Sequence, residues 1–236
     1  MPVNRGKRSA GITWVGRGAL VPSLVLVVPL LLAYDLGLLI SRRGNGADLV
    51  SGALLALCGH HVALYLVLHA GLAAGFLYWA RRTGHAATLS TAVVGQLLIE
   101  AMIYALSLGA VVAWMVHDGL GLGAARGDLA TELVTSLGAG VHEELLFRLG
   151  AFAGGAALLR RLGLAPRVAW TIALVASSLL FAGAHHWVAG DEPWRVGAFV
   201  FRAIAGAAFA LICWYRSLAH AVYAHVLYDV YVLVVR

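Results

Sequence analysis

Seven runs of mainly apolar residues, joined by short polar connections, leave this chain very few folds to adopt. The runs cover roughly residues 19–40, 53–80, 86–116, 129–159, 167–188, 196–215 and 218–235. A helix needs about 20 apolar residues to cross the hydrocarbon of a bilayer. With no water there to serve the backbone, only helices and closed barrels can span it. The runs are continuous rather than alternating, which argues against a barrel. Composition agrees: 61% of the 236 residues are hydrophobic and 12% are charged, where a soluble domain is about half apolar and a quarter charged. The expected fold is all-α, a polytopic membrane helical bundle of about seven transmembrane helices, within a range of six to eight.

No long linker, low-complexity tail or repeat divides the chain, so residues 1–236 are expected to form one membrane-embedded domain. Arg5, Lys7, Arg8 and Arg17 precede the first run, which continues to about Ile40 without a small-x-small cleavage site. It reads as a retained first helix or signal anchor. The formal charge is +6, and its basic residues flank the apolar runs, as at Arg42-Arg43, Arg81-Arg82 and Arg160-Arg161. That is the pattern of positive-inside flanks and of contact with anionic lipid. No aromatic and basic residues interleave, so the bilayer, not a nucleic acid, is the expected partner. With the N-terminus inside, Arg5, Lys7, Arg8, Arg17, Arg81, Arg82, Arg160, Arg161, Arg167 and Arg216 share one side. Arg42, Arg43, Arg126, Arg195 and Arg236 share the other, which favours that orientation. The two cysteines, Cys58 and Cys213, lie in apolar runs and give no disulfide framework.

Three clusters of ionisable residues break the apolar pattern: Glu143-Glu144-x-x-x-Arg148, Phe181-x-x-x-His185 with His186 next to it, and His225-x-x-x-Asp229. A charge at the centre of a spanning helix costs roughly 2.5–3.5 kcal/mol on insertion scales, so each needs a partner, a wet cavity or a task. Glu144 and Arg148 are four apart and can pair on one helix face. In an α-helix Glu143 is turned away by about 100° and lacks that partner. A buried carboxylate of this kind can serve as a general base or acid. A charge network that only fixes packing is the rival reading. His185 shares a face with Phe181 and Ser178, and a neutral imidazole there can accept a proton, ligate a metal or face an oxyanion. His186 reads as a packing residue. His225 and Asp229 share a face, and an acid so placed can fix a histidine tautomer. Tyr223, Tyr228 and Tyr231 read as interfacial or core aromatics. Asp35, Glu100, Arg202, His60, His61 and His69 also fall in apolar runs and are expected to be structural or peripheral, with Glu100 and Arg202 a candidate pair.

The order Glu-Glu-x-x-x-Arg, Phe-x-x-x-His, His-x-x-x-(Asn/Asp) on successive core helices resembles the CAAX-protease and bacteriocin-processing (CPBP, or Abi) family of intramembrane endopeptidases. The resemblance covers about residues 129–236, leaving 1–128 as N-terminal accessory helices. It implies glutamate-type catalysis, with Glu143 as base and His185 its partner on the water. Glu144 and Arg148 would support the site, His225 would donate to the oxyanion, and Asp229 would assist it. Asn is common at the last position of the third motif, and Asp229 cannot donate as an Asn amide does unless protonated. No cofactor is expected. Zinc held by Glu143, His185 and His225, with one position open, is the alternative.

The expected function is hydrolysis of a peptide bond in a membrane-associated protein or peptide: a leader, a C-terminal anchor or sorting segment, or a CAAX-like tail. The rivals are a non-catalytic immunity or scaffold protein of the same fold and a proton-coupled transporter, although no inverted repeat is visible. The Gly/Ala/Arg-rich composition suggests a bacterial chain, integral to the cytoplasmic membrane.

Overall fold

Polar and conformationally special residues set the helix ends. Asp128 accepts a hydrogen bond from the Thr131 N–H at 3.2 Å and so caps the helix that follows it. Gly163, at φ +93°, closes that helical stretch with Leu164 N–H to Leu159 O at 3.1 Å, a left-handed stop that favours glycine. Pro166 then starts the next helix at a position where a missing N–H costs nothing.

The computed structural model describes residues 19–41, 55–85, 90–117, 128–187 and 194–235. Its helices are α1 (Leu20–Ser41), α2 (Val62–Arg82), α3 (Thr91–His117), α4 (Leu129–Gly138), α5 (Gly155–Arg161), α6 (Pro166–Trp187), α7 (Val196–Tyr215) and α8 (Leu218–Val235). Between α4 and α5 the chain stays helical but is wound in π turns, over Ala139–Glu143 and Leu145–Gly154. The described residues contain no strand. Five helices are long and apolar enough to cross a membrane, and Leu218–Leu233 is a shorter apolar helix. Together with the stretch from Leu129 to Arg161, they account for the seven apolar runs. The protein is an all-α polytopic membrane bundle.

One expectation needs correction here. The second run was placed at 53–80, but its helix begins at Val62. Gly59 and His60 both have positive φ, +59° and +61°, which no helix can continue through. The fourth run is helical as expected, but most of its charged part is π-wound rather than α-wound, while Glu144 and Arg148 still pair at i and i+4. Arg5, Lys7, Arg8, Arg17, Arg42, Arg43, Arg126 and Arg236, used in the orientation count, lie outside the described residues.

The core is built from small residues. Leu97, Ala101 and Ala105 of α3 pack with Ala219, Val222 and Ala224 of α8 and with Ala205 and Phe209 of α7. Small side chains let membrane helices approach closely, since lipid offers no hydrophobic drive to hold them together. Every residue from Ala139 to Glu144 is buried, so the first π stretch is enclosed by protein rather than lipid. A Cβ on Gly140 would lie 3.0 Å from the Val226 backbone nitrogen and 3.2 Å from the Val222 oxygen of α8. The motif-bearing helix and α8 therefore touch at backbone distance. By contrast, α2 leaves Leu64, Val67, Leu68 and Leu72 exposed, a surface suited to lipid.

Candidate active site

Each of the three sequence clusters comes from a different segment, and the bundle brings all three together. Glu144 and Arg148, on the π-wound stretch, form an ion pair at 2.9 Å with both side chains fully buried. The contact is close but not aligned as a hydrogen bond. The other Glu144 oxygen faces His225 Nδ1 of α8 at 2.9 Å. Paired with Arg148, Glu144 is a carboxylate, so it accepts and Nδ1 of His225 carries the proton. Glu144 thus links a cation on its own helix to a histidine on another.

Glu143 lies at the junction of the two histidine helices. His185 Nε2 of α6 is 3.7 Å from Glu143 Oε2, and His225 Nε2 is 3.9 Å from the same oxygen. His185 Nδ1 lies 2.9 Å from the Phe181 carbonyl, which can only accept. That fixes the proton of a neutral His185 on Nδ1 and leaves Nε2 as an acceptor facing Glu143. The i and i+4 spacing of Phe181 and His185 is what brings Nδ1 to that carbonyl. His225 Nε2 is also 3.7 Å from Asp229 Oδ2, as the spacing in the third motif anticipates. The His185 and Asp229 side chains retain 26% exposure, against 6% for Glu143 and 5% for His225. Access to the cluster is therefore from the His185–Asp229 side.

Aromatic rings form the rest of the wall. Phe209 of α7 stacks on His225, with centroids 4.5 Å apart and planes 15° from parallel. Phe181 packs edge-on to His185 at 4.8 Å and carries the Arg148 guanidinium over its face at 4.7 Å. The same guanidinium lies 5.7 Å from the Phe209 ring centre. These contacts give a buried cation an apolar cradle. Gly206 of α7 allows this packing, since a Cβ there would meet Phe181 Cδ1 and Ser178 Cα at 3.2 Å.

The structure thus gathers Glu143, Glu144, Arg148, His185, His225 and Asp229 in one cluster. Sequence reasoning missed Phe209, because nothing in an apolar run marks one phenylalanine as a stacking partner. It also missed His142, whose buried ring lies 5.0 Å from Tyr34 and whose Nδ1 donates to Gly138 O at 3.0 Å. Ser178 is spent on the Leu174 carbonyl at 2.7 Å, and Tyr223 on the Leu26 carbonyl at 2.9 Å. His186 packs against Trp194 at 4.7 Å, as its packing reading requires. Asp35 meets Tyr65 at 2.6 Å and His69 at 2.7 Å, away from the cluster. The suggested Glu100–Arg202 pair is not formed with Glu100: Arg216 takes that carboxylate through two contacts of 2.7 and 2.6 Å. Arg216 begins the turn before α8 and looked like a simple flank.

Among the described residues, no group of three or more His, Cys, Asp or Glu side chains is arranged to hold a metal ion. Each ring engages its Nδ1, which leaves the Nε2 of His185 and of His225 turned toward Glu143.

Residues 126–231 match the family model described as type II CAAX prenyl endopeptidase Rce1-like. Over that segment, just under half of the chain, the sequence is similar to the CAAX protease family. The Rce1-like segment includes α4 to α7, most of α8 and all six clustered residues. No curated protein and no solved structure matches the chain significantly.

Proposed function

We propose that this chain is a CAAX-type protease, which hydrolyses a peptide bond of a membrane-associated substrate by glutamate and histidine activation of water. The observation that carries the reading is the convergence of His185 Nε2 and His225 Nε2 on one Glu143 oxygen, at 3.7 and 3.9 Å. A water between Glu143 and His185 has an acceptor for each of its protons, so a lone pair is left for the substrate carbonyl. Glu143 takes a proton as the water oxygen bonds to the carbonyl carbon. The oxyanion that forms needs a donor. His225 can donate from Nε2 only as an imidazolium, because its Nδ1 proton goes to Glu144. Glu143, Glu144 and Asp229 all lie near that ring, which supports the charged form. Asp229 acts here as a counter-charge for His225, a role open to Asp as well as to the more common Asn. The proton on Glu143 then passes to the leaving nitrogen as the C–N bond breaks. Zinc enters none of these steps.

Residues 129–236 would be the catalytic core and α1 to α3 accessory helices. The substrate would be a leader, a C-terminal anchor or a CAAX-like tail, presented at the cytoplasmic membrane of a bacterium. The test is peptide mass spectrometry of membranes carrying wild-type protein, Glu143→Gln or His185→Ala. Fragments present with wild type and missing with both variants are expected. General-base loss costs about 10²–10⁴ in rate. Equal fragment yields from all three would refute hydrolysis and leave a scaffold or transport role.

A further inference from the structure

The bundle has two ends, and exposed charge is divided unequally between them. Leu20, Arg160, Trp170, Trp214 and Leu218 line one cavity, so the starts of α1, α6 and α8 lie together with the ends of α5 and α7. α3 runs parallel to α8: Glu100 meets Arg216 at 2.6 Å, and a Cβ on Gly109 would meet the Tyr231 ring. α2 runs antiparallel to α1, because Asp35 near the end of α1 meets Tyr65 and His69 early in α2. The end of α2 and the start of α3 therefore join the first end. The ends of α1, α3, α6 and α8 and the starts of α4 and α7 form the other. Arg81, Arg82, Arg160, Arg161 and Arg167 are all exposed at the first end. Among the described residues no exposed carboxylate answers them, since Glu100 is half-buried and held by Arg216. The exposed charges described at the other end are Arg195 and Asp128, one of each sign. Short flanks rich in Arg and Lys stay cytoplasmic during insertion, and Asp and Glu weigh little in that choice. The imbalance puts the arginine end in the cytoplasm.

The cluster around Glu143 opens toward the opposite end. His185 lies two residues before Trp187, the last residue of α6, which is about 3 Å along the axis. From Pro166, at the arginine end of the same helix, it is about 29 Å away. Asp229 likewise sits in the second half of α8, nearer Val235 than Leu218. These two side chains are the ones that keep 26% exposure, while Glu143 and His225 are enclosed. Ionisable groups left against acyl tails are costly. The exposed surface of His185 and Asp229 therefore meets water, and the nearest water lies at the end away from the arginines.

We propose that the mouth of the cluster faces away from the cytoplasm, and that its substrates are polypeptide segments on the outer face of the membrane. The substrate class rests on the hydrolytic reading above, whereas the orientation rests on geometry and charge alone. A leader or C-terminal anchor whose cleaved part has crossed the bilayer reaches His185 and Glu143 directly. A CAAX-like tail kept in the cytoplasm meets the arginine end instead, with the length of α6 between it and His185. Of the substrates named above, the geometry retains the translocated ones and sets the cytoplasmic tail aside.

The test uses the full chain carrying Cys58→Ala and Cys213→Ala, made in bacterial cells that are then converted to spheroplasts. Single cysteines are introduced by Arg161→Cys and Arg167→Cys at the arginine end, by Leu129→Cys and Trp194→Cys at the other, and by Asp229→Cys in the mouth. Leu129 and Trp194 are 61% and 55% exposed, so a thiol there is open to reagent. A charged methanethiosulfonate that cannot cross the bilayer is added outside, and the remaining thiols are read with a maleimide after solubilisation. Leu129→Cys, Trp194→Cys and Asp229→Cys should lose their maleimide labelling. Arg161→Cys and Arg167→Cys should lose it only when the membrane is opened first. The reverse pattern, equal loss in both sets, or an Asp229→Cys thiol reached only after opening would overturn the orientation. Mass spectrometry of membranes carrying the wild-type chain or Glu143→Gln then locates the cuts. Cuts that need Glu143 and fall outside the cytoplasm are expected, and cuts confined to cytoplasmic segments would overturn the substrate class. Fragments indifferent to Glu143 would overturn the hydrolytic reading and the substrate class with it, while the cysteine pattern, which needs no turnover, still decides the orientation.

Discussion

Arg148 and Glu144 show how a charge survives inside a bundle that sits in lipid. Neither is exposed, and each is needed by the other. Removing one partner of such a pair costs about 3–5 kcal/mol because the remaining charge is stranded, while replacing both by apolar residues is often neutral. Arg148→Met should therefore lower the unfolding temperature sharply in detergent. Glu144→Leu with Arg148→Met should regain most of the loss. The double variant should still fail in hydrolysis, since it removes the carboxylate that holds His225 Nδ1. A double variant no more stable than Arg148→Met would show that the pair is not what binds these residues together. Asp229→Asn offers a milder test at the same scale. It keeps the shape and removes the counter-charge 3.7 Å from His225 Nε2. Fragment yield in membranes should fall severalfold, because the ring loses a neighbouring carboxylate. An unchanged yield would remove Asp229 from the proposed role.

Among the secondary elements, the π-wound stretch, α6 and α8 carry the site, and the contact of the first with α8 rests on Gly140. Gly140→Val should abolish hydrolysis and destabilise the bundle, since the added carbon meets the Val226 side chain first and the Val226 and Val222 backbone close behind it. Gly71→Ala, where a Cβ meets nothing within 4 Å, is the control and should change stability by no more than about 0.5 kcal/mol. Equal behaviour of the two variants, read as unfolding temperature and fragment yield, would refute the close-contact argument. The sequence disclosed much at this scale. The apolar runs marked the helices because hydrocarbon imposes length and backbone satisfaction on any span. The i and i+4 spacings marked His185 with Phe181, and His225 with Asp229, because those helices are regular. The π winding of the charged stretch was not legible, since a π turn changes the hydrogen-bond register without altering the composition. Phe209 and the Arg216–Glu100 pair were illegible for another reason. They arise from which helices become neighbours, and no local pattern encodes that.

The molecule as a whole is unevenly held. α3, α7 and α8 share a core of small side chains with α1, while α2 adds little to it. What ties α2 to its neighbour is a polar knot, with Asp35 of α1 taking Tyr65 at 2.6 Å and His69 at 2.7 Å. Asp35→Leu should loosen α2, read as faster trypsin cleavage after Arg81 or Arg82, while fragment production by the Rce1-like segment persists. Loss of hydrolysis with α2 still protected would contradict that division. The knot also makes the protein responsive to the sheet of lipid around it. A helix of 21 residues that shows most of its side chains to acyl tails must tilt or sink as the bilayer thins or thickens. The packed helices have neighbours to resist such a change, whereas α2 shows more of itself to lipid and meets Asp35 near its start. Membrane thickness would then be felt first as a torque on Asp35, and the outermost helix would work as a compliant arm on a stiff body.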